Sequence, residues 1–172
     1  MTRAKLPALG YVYVALALPA LVEAGHRQAA SAFITGAIFA YLWFLASLRA
    51  LLVRFDPDGF FVSVVVMGGS AFIALQTLAV VGHAPEYAAP SAACAATVIM
   101  GSSLAAWRAR KIARWFGQAG VVGGLAVLAV GILEGASSWT LAGNGIFAST
   151  LGYMVWVLVT ATYLLRRSRV VS

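Results

Sequence analysis

A chain of 172 residues with 62% hydrophobic and only 10% charged residues excludes an ordinary water-soluble domain, in which about a quarter of the residues carry charge. The formal charge of +7 would point to nucleic acid in a soluble protein. Here the basic residues fall between apolar runs, so they are read as topology signals for a membrane protein, and nucleic acid is excluded as a partner.

Six apolar segments follow one another. The first, residues 6–24, follows Arg3 and Lys5 and superficially resembles a signal peptide. Pro19 and Glu23 interrupt its end, and it is read as a retained helix. The second, residues 29–53, carries Tyr41, Trp43 and Phe44. The third, 59–82, is rich in Val and Phe, and its Gly68-Gly69-Ser70 run predicts close helix contact or a mild kink. The fourth, 88–107, is mostly Ala, Ser and Thr and is the least apolar. The fifth and sixth cover 115–133 and 144–165.

Alternation of these segments across a bilayer should collect positive charge in every second loop. With the N-terminus inside, 11 of the 12 Lys and Arg fall on the cytoplasmic side and only Arg27 falls outside. Dropping one internal span would invert every later loop and destroy that segregation. The predicted architecture is therefore all-α: one transmembrane domain over 1–172, six spans in a compact bundle, both termini cytoplasmic. Tyr11, Tyr13, Phe60, Phe61, Trp107, Trp115 and Tyr163 are expected at the inner interface, and Trp139 at the outer one.

Four groups of residues could carry function. Ala119 with Gly123, Gly120 with Gly124, and Gly131 with Gly135 have the four-residue spacing that lets helix backbones approach closely. Packing within the chain is the plainer use of them, and a dimer seam the alternative. Gln76, Asn144 and Tyr153 are polar at membrane depth or its edge, need partners, and would line an entry route if the protein were a transporter. Glu23, His26, His83, Glu86 and Glu134 gather by topology at the outer face. Glu-x-x-His and its reverse are spacings from which helical bundles build metal centres, although solvated span ends explain the same residues. Arg108, Arg110, Lys111 and Arg114 form a basic loop suited to anionic lipid head groups.

No multi-Cys metal site follows from the single Cys94. Met67, Met100 and Met154 read as core fillers and not haem ligands. No cofactor is predicted, and no enzymatic activity follows from the residues.

Leu42-Trp43-Phe44-Leu45 leading into Leu48-Arg49, Arg114-Trp115-Phe116-Gly117 after the basic turn, and Val155-Trp156-Val157-Leu158-Val159 ending in Leu164-Leu165-Arg166-Arg167 resemble small multi-pass bacterial inner-membrane proteins of uncharacterised function. That resemblance implies location in the inner membrane and no catalytic residues. The leading expectation is an accessory or assembly subunit, or a binder of a lipid-like molecule. Its partners would be membrane lipids and a membrane protein or a second copy. A small transporter or channel, and a metal-dependent membrane enzyme or redox protein using the outer Glu/His residues, are the alternatives.

Overall fold

The computed structural model describes residues 7–22, 27–54, 56, 58–81, 85–108, 114–137 and 148–170. Among them are six α-helices and no strand: α1 Leu9–Val22, α2 Arg27–Leu52, α3 Phe60–Val81, α4 Ala88–Arg108, α5 Arg114–Ser137 and α6 Ala148–Val170. A short 3₁₀ turn, Pro85–Tyr87, leads into α4. Gly68 and Gly69 do not break α3. Gly69 lies against Leu45 and the Tyr41 hydroxyl of α2, and Gly68 lies against Thr97, Val98 and the Cys94 carbonyl of α4, so the pair serves close approach on two sides.

Four helices contain stretches long and apolar enough to cross a membrane: Ser31–Leu52, Phe60–Ala79, Ala88–Arg108 and Trp115–Gly135. Large apolar side chains such as Phe39, Met67, Val122, Leu133 and Val155 lie exposed on their own and neighbouring helices. That is the surface a bilayer accepts and water does not. The least apolar of the four, α4, is also the most enclosed, with 61% of its span buried against 28% for α5. Its Ala and Ser side chains face protein, where small size allows close packing, so it needs less greasy surface than a helix facing lipid.

Each helix packs on the next in sequence, and α6 returns to pack on α1, closing a ring; α4 also touches α6 across it. The directions alternate. At one end Tyr11 bonds Thr162 at 2.5 Å, Phe116 stacks on Tyr163 with centroids 5.6 Å apart, and Arg108 lies 3.9 Å from Asp58. That exposed ion pair adds little stability but places the start of α3 beside the end of α4. At the opposite end Ser91 meets Gln76 and Ser149 meets Glu134.

The tightest seam joins α4 and α5. Gly117 lies against Trp107, Gly120 against Ser103, Gly124 against Met100, Gly131 against Ala92 and Gly135 against Ala89. The α5 number rises as the α4 number falls, as an antiparallel pair requires. The glycines recur near the 3.5-residue period that keeps one seam facing a partner.

Two expectations for single residues are corrected. Tyr13 lies in the core instead of at an interface, its ring 5.0 Å from that of Tyr41. It follows exposed Tyr11 by two residues, about 200° around a helix, so the two rings face opposite ways. Met67 is exposed instead of filling the core, whereas Met154 is buried.

Candidate functional site

Buried polar groups are costly in an apolar bundle unless they are paired, so the pairing of each one restricts what it can do. Asp56 and Glu134 are both buried. The Val62 N–H donates to Asp56 Oδ2 at 3.1 Å, while Gly59, whose φ of +71° suits a residue without a Cβ, makes the tight turn into α3. Glu134, from the end of α5, accepts the first N–H groups of α6, those of Ala148 and Ser149. The Ser149 hydroxyl also donates to its Oε2 at 2.6 Å. Each acid thus supplies negative charge and acceptors at a helix start, where unpaired N–H groups and the helix dipole favour them. Replacing Asp56 by alanine should lower stability by about 1 kcal/mol; a chemical-denaturation midpoint in detergent identical to that of the unmodified protein would show that the cap contributes nothing.

Of the five outer residues considered for a metal, Glu23, His26 and His83 lie outside the described residues. Glu86 is exposed on the 3₁₀ turn, while Glu134 is buried against α6. Among the described residues no group of three His, Cys, Asp or Glu comes together.

The residues considered for a polar route are similarly divided. Asn144 lies outside the described residues. Gln76 Oε1 accepts from Ser91 Oγ at 2.9 Å and Thr150 Oγ1 at 3.4 Å, and its buried Nε2 has no partner. The Tyr153 hydroxyl instead pairs with that of Tyr41 at 2.6 Å, inside an aromatic cluster with Phe72 and Trp156. The Tyr41 hydroxyl lies at the height of Gly69, seven residues and about 10 Å below Gln76 along α3. Buried Phe72 and Ile73 lie between. Gln76 and Tyr153 therefore belong to separate levels.

A third polar level lies near the other end. Between α2, α4, α5 and α6 is a recess of about 20 Å³, room for one water-sized group. Leu51 and Leu52, Ala106, Phe116 and Trp156 supply apolar walls, with Ser102, Thr160 and Tyr163 also lining it. The Ser102 hydroxyl donates to the carbonyls of Val98 and Ile99. Thr160 Oγ1 is buried without a hydrogen-bond partner. Val157, wholly buried, separates this level from the tyrosine pair.

Of the six small residues singled out on α5, Gly120, Gly124, Gly131 and Gly135 face α4. Ala119 is exposed, and a side chain at Gly123 would meet nothing within 4 Å. Reading the sequence alone missed Asp56, Tyr41, Ser91, Thr150 and Thr160. A signal existed for the last two: Thr150, Tyr153 and Thr160 fall on one face of an otherwise apolar helix, spaced three and seven residues apart.

No family model matches the chain, and neither a curated protein nor a solved structure matches it.

Proposed function

We propose that this is a six-span protein of a bacterial inner membrane, with both termini cytoplasmic, that binds a lipid-like molecule whose chain end enters the recess between α2, α4, α5 and α6. The observation that carries the reading is the recess itself: apolar walls, aromatic side chains, and a buried hydroxyl. It lies toward the end of the bundle at which Arg54, Arg108 and Arg166 are exposed, suiting an amphiphile whose apolar part enters and whose polar part meets cationic side chains. The positive-inside rule assigns that end to the cytoplasm, and the resemblance read from the sequence implies the bacterial inner membrane. The alternating directions of the six helices support six crossings, with α6, at 23 residues, rising about 34 Å.

An accessory or assembly subunit is the second reading, favoured by the open space at Gly123 on the outward face of α5. A transporter is less well supported, because apolar layers separate the three polar levels. A metal-dependent activity is less well supported too, because Glu134 is engaged by α6.

Native mass spectrometry of the protein extracted from its own membrane in mild detergent tests the proposal. A chain carrying a discrete lipid-like adduct, lost when Ala106→Phe narrows the recess, is the expected result. A fixed protein partner and no such adduct would overturn it in favour of the accessory subunit.

A further inference from the structure

The recess differs from an ordinary gap between greasy helices in one respect. Most buried or half-buried hydroxyls of this bundle that lack a partner on another helix fold back onto their own helix: Thr77 donates to the Ile73 carbonyl at 2.7 Å, Thr97 to Ala93 at 2.8 Å and Ser102 to Val98 at 2.7 Å. In each case the carbonyl four residues back satisfies the hydroxyl, which then asks nothing of its surroundings. Two buried hydroxyls do not do this, Ser103 on α4 and Thr160 on α6, and of the two it is Thr160 that lines the recess. Its Oγ1 is buried, unpartnered and on the wall of the recess. A buried hydroxyl left unpaired costs about 1–3 kcal/mol, so the group that completes the site is one that can hydrogen-bond.

We infer that the molecule entering the recess carries a hydroxyl at its buried end, which pairs with Thr160 Oγ1, so that the site selects an alkanol-like chain over a plain hydrocarbon chain of the same length. This rests on the lipid-binding reading above and adds the chemistry of the inserted group. A hydroxyl can donate to Thr160 or accept from it, whereas a methyl terminus leaves Thr160 as it stands. Space for one water-sized group matches a chain end and not a whole head group. Leu51, Phe116 and Trp156 at the recess are only half-buried, so their outer apolar surface is left for the chain that follows the inserted end.

Two photoreactive probes of equal length, a diazirine-bearing octanol and the corresponding diazirine-bearing octane, separate the possibilities when crosslinked to the full chain in detergent and mapped by peptide mass spectrometry. The alkanol should label the recess peptides containing Phe116 or Trp156 about fivefold more than the alkane, the ratio expected of one hydrogen bond. In Thr160→Val that preference should vanish while labelling by the alkane persists. Equal labelling of the recess by both probes in the unmodified protein would overturn the hydroxyl inference and leave the lipid-binding proposal standing. Labelling by both probes only outside the recess would overturn both.

Discussion

Substituting leucine for Gly131 should unseat α5 from α4 and cost about 3 kcal/mol or more, while the same substitution at Gly123 should change stability by less than about 0.5 kcal/mol. The two glycines lie eight residues apart on the same helix, so intrinsic helix propensity and added hydrophobicity are matched. Their surroundings are not. A Cβ at Gly131 would collide with the Ala92 side chain, which has no rotamer to move into, whereas one at Gly123 meets nothing within 4 Å. Overpacking on this scale requires the two helices to separate, which would also disturb the contacts of Gly135 with Ala89 and Gly124 with Met100. The measurement is the fraction of each variant that stays monodisperse after heating in mild detergent, together with unfolding midpoints in mixed micelles. Equal stability of the two variants would mean that the α4–α5 seam is not as close as described.

The second large effect is expected at Glu134. Glu134→Ala should cost about 2 kcal/mol, because it leaves the Ala148 and Ser149 N–H groups and the buried Ser149 hydroxyl without their common acceptor. Glu134→Gln should fall between, since it keeps a carbonyl oxygen and loses the negative charge at the positive end of the α6 dipole. Amide hydrogen exchange at Ala148 and Ser149 should accelerate in the same order, with slower changes in the middle of α6. A double-mutant cycle with Ser149→Ala would isolate the side-chain bond: additive effects would show that the carboxylate and the hydroxyl do not interact. A glutamate that instead served a metal or substrate would leave exchange at the start of α6 unchanged when replaced.

Helix positions were legible in the sequence as long apolar runs: each of the six predicted segments overlaps a helix, and four of those helices are long and apolar enough to cross a membrane. The α5 glycine spacing was legible too, but not which of two overlapping pairs faces a neighbour: Ala119 with Gly123 and Gly120 with Gly124 differ by one residue, about 100° around the helix. The roles of the acids were not legible. Glu134 sits near a predicted span end, where solvation is the natural reading, and only the return of α6 alongside α5 gives its carboxylate the N–H groups it accepts. Thr160 was legible as part of a polar face with Thr150 and Tyr153, but its lack of a partner was not. A threonine in an apolar run ordinarily bonds its own helix, as Thr162 does, and the sequence does not show that Thr160 departs from that habit.

The enclosure of α4 bears on how the bundle is assembled during synthesis. A segment rich in Ala, Ser and Thr has less affinity for lipid than the other three candidate spans, and more than half of its span is covered by other helices in the finished protein. Of the four it is the least suited to enter the membrane alone. Its two principal neighbours come from opposite sides in time: α3 leaves the ribosome before it and α5 after it. Insertion of α4 should accordingly depend more on its neighbours than that of the other three, with α3 offering the first surface and the glycine face of α5 the second.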